Sequence, residues 1–222
     1  MNSTTVLLLS GGLDSVAALH HTRPDRAVGF SYGQPHRDAE LTAAGVIAAR
    51  RGVPFDVLLL PDLRRLDPTA GRDPAGVALA FVPGRNALFL TRAAAAYAKP
   101  GERLHLVMGA NADDYGAFPD CRGMFFAAAQ AMLHAALVGV CDVWISTPWL
   151  ASTKAEIVRW CASQPDALAD VRDSVSCYRG TRCGQCDACA LRAAAFAACG
   201  LEDGTSVQTM HGGDPGRDAK LR

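Results

Sequence analysis

Four apolar residues, Val6–Leu9, run straight into Ser10-Gly11-Gly12-Leu13-Asp14-Ser15, and this junction constrains the fold more than any other stretch of the chain. A short, fully apolar run is characteristic of a strand buried on both faces. Ser15–His21 then continues as a helix, so the glycines fall in a strand-to-helix turn. Backbone at such a turn can approach an anion closely, with amide N–H groups and the helix N-terminus facing it. The segment lacks the lysine of GxxxxGK(S/T) and the spacing of GxGxxG, so neither a Walker loop nor a dinucleotide fingerprint fits. Read alone, the six residues also fit a glycine turn capped by Ser or Asp.

The same alternation continues along the chain. Strands are expected at Val6–Leu9, Ala27–Tyr32, Phe55–Leu60, Leu104–Gly109 and Val143–Ser146, and helices at Ser15–His21, Ala39–Arg51, Asn86–Ala98, Arg122–Val138 and Lys154–Cys161. That order predicts an α/β fold, a doubly wound three-layer parallel sheet. With 222 residues, half of them hydrophobic, the chain can bury one sizeable core. Residues 1–200 are therefore read as one domain and the polar end, 201–222, as a flexible tail. Two long connections, Pro61–Pro83 and Asn111–Cys121, are candidates for functional loops, and Ser163–Ser176 reads as irregular.

Lys plus Arg balance Asp plus Glu at 22 each, which argues against nucleic acid or an anionic membrane as partner. The first fifteen residues carry no basic n-region, and Val6–Leu9 is too short to span a bilayer, so a cytoplasmic location is expected. A reducing cytosol disfavours a disulfide framework for the eight cysteines. Four of them, Cys177, Cys183, Cys186 and Cys189, read C-x5-C-x2-C-x2-C, and two-residue gaps let thiolates converge on one tetrahedral ion. Four thiolates fill the shell of Zn²⁺, making its role structural; an iron–sulfur cluster is the competing reading. Gly184 and the helix-forming ALRAAAF that follows favour a zinc knuckle over 177–192. Cys121, Cys141, Cys161 and Cys199 read as small core residues, with Cys121 the exception to watch.

SGGLDS resembles the signature of the PP-loop ATP pyrophosphatases, an adenine nucleotide alpha hydrolase-like fold that binds the pyrophosphate end of ATP and transfers AMP. The chain as a whole resembles the 7-cyano-7-deazaguanine synthases, through SGGLDS, YGQPHR (32–37), FVPGRN (81–86), GANADDYGAFPDCR (109–122), TKAE (153–156) and the cysteine block 176–192. The resemblance implies an ATP-dependent carbon–nitrogen ligase. ATP adenylates 7-carboxy-7-deazaguanine, ammonia displaces AMP to give the amide, and a second ATP drives dehydration to the nitrile used in queuosine biosynthesis. It further implies ATP as co-substrate, Mg²⁺, structural Zn²⁺ and a homodimer.

Residue by residue, the resemblance implies that Ser10, Gly11, Gly12, Leu13, Asp14 and Ser15 cradle phosphate and that Lys154 neutralises it. Asp14 also caps the loop or helps place Mg²⁺, and Arg85 meets phosphate or carboxylate. Tyr32, Asn86, Tyr115, Phe118, Pro119, Asp120 and Arg122 belong to the deazaguanine pocket, where an aromatic stacks on the ring and a carboxylate accepts from its guanidine-like edge. His36 is left without a fixed role, and the other histidines have no partner pattern.

The sequence departs from the family at Ser31, where an acidic residue is usual, and at Pro35, where a basic one is. Glu40 stands one position later than the usual glutamate, and the 61–83 connection and the Cys177–Cys183 gap are short. These departures keep open a diverged paralogue that passes the activated deazaguanine to a protein amine in an antiviral defence operon. A PP-loop tRNA-modifying enzyme and a non-enzymatic ATP sensor are further alternatives.

Overall fold

The computed structural model describes residues 2–63 and 71–204. Five strands form one parallel sheet in the order β3-β2-β1-β4-β5: β1 (Ser3–Leu8), β2 (Arg26–Ser31), β3 (Phe55–Leu59), β4 (Arg103–Met108) and β5 (Asp142–Ser146). β1 is central, with Leu8 opposite Val28 on one side and Met108 on the other. The chain moves outward from β1 in one direction through β2 and β3, then crosses to β4 and β5. The carboxyl ends of β1 and β4 therefore flank the topological switch point, where open α/β sheets bind ligands.

Side chains alternate across β1, and the two sets found separate cores. Leu7 and Leu9 pack with α1 (Leu13–Thr22), α2 (Arg37–Arg50), α5 (Lys154–Ala162), α6 (Ala167–Asp173) and α7 (Asp187–Ala198). Val6 and Leu8 face the other way, against α3 (Arg85–Tyr97) and α4 (Gly123–Ala136). Every expected strand and helix is present, with ends shifted by a few residues, and the three-layer architecture is the one expected. Among the described residues no helix is long and apolar enough to cross a membrane.

Two segments differ from the sequence reading. Ser163–Ser176 is not irregular throughout, because it contains α6. Seven residues are too few to display a helical period, and this helix is fixed from outside: Ala167 and Val171 are buried in the core and Asp170 is tied by ion pairs to α1 and α2. The domain also reaches past residue 200, since Leu201 packs on the core and Asp203 accepts from Arg192 Nε at 2.8 Å. The remainder of the expected tail, 205–222, lies outside the described residues, as does 64–70 of the first long connection.

Candidate active site

At the switch point, a cleft of ≈ 270 Å³ opens among the phosphate-type loop, α3, the 109–121 loop and the start of the cysteine region. Gly11 has φ +82°, and a Cβ built there would stand 2.4 Å from the carbonyl of Glu40, so only glycine fits. From below, Gly109 at the end of β4 approaches so closely that a Cβ would come within 2.9 Å of Asp14 and Ser15 backbone. The loop is also laced internally. Ser15 Oγ donates to Gly12 O at 2.9 Å, Ser10 and Ser15 hydroxyls meet at 3.1 Å, and Gly12 N–H donates to Ser10 Oγ at 3.3 Å. Gly12 at the N-cap of α1 has no side chain to bond the helix start; Ser176 Oγ takes the first amide, Leu13 N–H, and the dipole with the following first-turn amides is directed at the cleft.

Lys154 is the first residue of α5, aimed by a capping box in which Thr153 and Glu156 satisfy each other's backbone N–H groups. Its Nζ meets Asp14 Oδ2 at 2.7 Å, and its backbone N–H donates to Asp113 Oδ2 at 2.8 Å. Burial works against the ammonium charge, yet Asp14 and Asp114 outweigh it and hold the Lys154 pKa above its ordinary value. Burial pushes Asp114 up to about 6 despite the lysine. Asp14 Oδ1 is buried without a partner among the described residues. One ammonium thus serves three carboxylates, and the free oxygen fits a hard cation such as Mg²⁺.

On the opposite wall, Arg85 opens α3, its guanidinium 6.0 Å from the Tyr32 ring centre and 5.7 Å from that of Phe89, with Nη1 3.4 Å from Tyr32 Oη. Asn86 is 1% exposed; its backbone N–H donates to Asp120 Oδ2 at 3.4 Å and its Nδ2 to Asp120 O at 3.2 Å. Arg85 Nε, Asn86 Oδ1 and Asp120 Oδ1 are all buried without partners among the described residues. Phe118 and Cys121 also line the cleft. Asp120 stands behind Asn86 rather than on the cleft wall. Tyr115, Pro119 and Arg122 do not line it either: Tyr115 is 59% exposed with the Arg122 guanidinium 5.2 Å from its ring.

Several lining residues had no role assigned from sequence. Gln34 clamps the end of β2, donating to Phe30 O and accepting from Tyr32 N–H, both at 2.9 Å. His36 Nδ1 lies 3.0 Å from Tyr178 O, and burial lowers its pKa. Glu40 is pushed up to about 8 by burial, against the pull of Gln34 and Arg85. Asp113, Asp114, Ser176, Tyr178 and Asp187 complete the polar wall. Most of them sit inside the motif blocks, but their side chains converge only through the fold.

The sulfur atoms of Cys177, Cys183, Cys186 and Cys189 lie within 4.8 Å of one another, close to the separation that tetrahedral Zn–S bonds of about 2.3 Å require. This region forms part of the site. Val175 N–H donates to Gly11 O at 2.8 Å and Leu13 N–H to Ser176 Oγ at 3.3 Å. Arg192, 3% exposed, binds Ser174 Oγ at 2.7 Å and Val171 O at 2.7 Å. Asp187 Oδ2 accepts from Gly71 N–H, tying the hairpin around the Arg72–Ala78 bridge to the start of α7. The remaining cysteines, Cys121, Cys141, Cys161 and Cys199, are buried or packed against the cores.

A parallel sheet with a glycine turn at its switch point, a lysine–aspartate pair across the turn and four clustered cysteines beside it define an open α/β fold with a ligand-type cleft and a knuckle that could hold a metal. Residues 4–200 match the family described as Queuosine biosynthesis protein QueC, and the chain belongs to that family. It is 34% identical over 229 residues to the 7-cyano-7-deazaguanine synthase of Cupriavidus pinatubonensis, covering 94% of this chain and 99% of that one. The corresponding enzyme of Dechloromonas aromatica is 36% identical over 227 residues, covering 92% and 98%. Among solved structures, the U34-tRNA thiolase NcsA from Methanococcus maripaludis matches 99% of this chain and 80% of its own, with a TM-score of 0.42 and 13% identity, too slight a likeness to extend the description.

Proposed function

We propose that the protein adenylates 7-carboxy-7-deazaguanine with Mg-ATP, forms the amide with ammonia and, after a second activation, the nitrile. One observation carries the reading: Lys154 and the start of α1 face the same cleft as Arg85 and Asn86, whose buried Nε and Oδ1 have no partner among the described residues. Ser10, Gly11, Gly12, Leu13 and Ser15 would hold the ATP phosphates through backbone and hydroxyl donors, with Lys154 released from Asp14 to pair with them. Mg²⁺ held by Asp14 and its neighbouring carboxylates would offset the charge of the departing pyrophosphate.

A carboxylate resists nucleophiles until its oxygen becomes part of a leaving group. Arg85 would draw the substrate carboxylate toward the α-phosphate, and Tyr32, Phe89 and Phe118 would bound the ring. Asn86 Oδ1, held by Asp120, would accept from the guanidine-like edge. Tyr115, Pro119 and Arg122 would brace the loop from outside. The 71–80 hairpin, which lines one side of the cleft through Arg72, Ala78 and Ala80, would limit the access of water to the mixed anhydride. Zinc on the four cysteines would close its own shell and take no part in the reaction.

Mass spectrometry of products from protein, Mg-ATP, ammonia and 7-carboxy-7-deazaguanine tests this. AMP, pyrophosphate and nitrile are the expected products. Amide as the final product would remove the second activation, and absence of AMP would overturn adenylation of this substrate.

A further inference from the structure

We propose that Glu40 is the proton acceptor for the amine that attacks the activated carboxylate, with Gln34 and His36 as its positioning residues; this rests on the adenylation reading above. Glu40 lies in the first turns of α2, and its carbonyl is the group that forbids a side chain at Gly11. Its backbone therefore touches the phosphate loop, while its side chain, 19% exposed, enters the cleft. A small molecule can reach it there, but bulk water cannot surround it. Gln34 Nε2 stands 3.5 Å from one carboxylate oxygen and His36 Nε2 3.4 Å from the other. No Lys or Arg is within ion-pairing distance of it among the described residues, unlike Asp14.

In its ionised form, which becomes populated as pH approaches about 8, this carboxylate repels phosphate. The ligand suited to it is a hydrogen-bond donor or a cation, and the amine co-substrate is both, as NH₃ and as NH₄⁺. The histidine fixes the direction of proton flow. Tyr178 O can only accept, so Nδ1 of His36 carries the proton and donates to it at 3.0 Å. In neutral His36 the Nε2 lone pair then faces Glu40, ready to accept from a protonated carboxyl. In the step itself, the nitrogen lone pair forms the N–C bond as the C–O bond to AMP breaks. The bonding pair leaves on the AMP phosphate, and one N–H proton passes to Glu40, giving amide and AMP.

Glu40→Gln preserves size and hydrogen bonding to His36 but cannot take the proton. Two readouts separate the halves of the reaction: ATP–pyrophosphate exchange driven by 7-carboxy-7-deazaguanine, and single-turnover amide formation with ammonium chloride. Exchange is expected to stay within about 3-fold of wild type while amide formation falls by at least ~100-fold. A parallel fall in both halves, or unchanged amide formation, overturns the assignment of Glu40. Wild-type protein without exchange overturns the adenylation reading itself, and this proposal with it.

Discussion

The two ends of the sheet handle buried charge in opposite ways. Helices α1 and α2 return antiparallel to the strands, so their first turns face the cleft and their last turns meet at the far end. There Asp170, 0% exposed, has every oxygen engaged: Oδ1 by Arg50 at 2.5 Å and Arg51 at 3.4 Å, Oδ2 by Arg51 at 2.6 Å and His20 at 2.9 Å. At the cleft end, Asp14, Arg85, Asn86 and Asp120 account for four of the five buried side-chain atoms without a partner among the described residues. A fold that satisfies one carboxylate completely and leaves another half-bonded marks where a ligand belongs. Polar groups complete without a ligand hold the structure; those incomplete without one bind it.

Lys154→Met gives the largest effect expected of this contrast. Removing a preorganised cation from the phosphate site should lower ATP–pyrophosphate exchange of the folded protein by about 10³-fold, and leaving Asp14 without its cation should also lower the calorimetric melting temperature. Exchange by the folded protein that stayed near wild type would erase the distinction between the ends.

Asp170→Asn should do the reverse, costing about 3 kcal/mol of stability by leaving Arg50, Arg51 and His20 without their shared carboxylate. Steady-state kinetics of the folded fraction should stay near wild type. The pH dependence sharpens the case. Burial would raise the Asp170 pKa, but the bonds from His20, Arg51 and Arg50 outweigh it and lower it. Its contribution is therefore complete above the unfolded value of about 3.9 and is lost as pH falls through the folded value. Denaturant titrations of wild type should show stability dropping below about pH 4, and the variant should lack that part of the slope.

Metal removal falls between the extremes, because the knuckle joins the two kinds of region. Chelation should loosen the Val175–Gly11 and Ser176–Leu13 bonds and weaken nucleotide binding by about 10-fold in calorimetric titrations. Unchanged affinity in metal-free protein would detach the knuckle from the site. An effect of similar size, confined to one substrate, is expected for Arg85→Lys, which keeps the charge but loses the planar fork, raising the KM for the carboxylate substrate about 10-fold with kcat largely retained.

What could be read beforehand follows the distance over which each feature is written. The β1–loop–α1 junction, the α5 start at Lys154 and the cysteine spacing are local, and each fits its place in the structure. Glu40, Gln34, Asp114 and Tyr178 come together from separate stretches, so no spacing rule announces them, although three of the four lie in motif blocks. Within GANADDYGAFPDCR, sequence cannot say which side of the loop each residue occupies. Phe118 faces the cleft, whereas Tyr115 and Arg122 pair with each other on the outside. Helix α6 has no signature in the sequence because its seven residues owe their helical form to Asp170 and the core, not to their own pattern.

Val175 and Ser176, near the end of the domain, are the residues that bond Gly11 and Leu13 near its beginning. During synthesis the glycine turn emerges first and waits, with that carbonyl and that amide open to water, until more than a hundred and fifty further residues have followed it. A nascent chain consequently cannot assemble this wall of the site until Val175 and Ser176 have been made and have folded back onto the glycine turn.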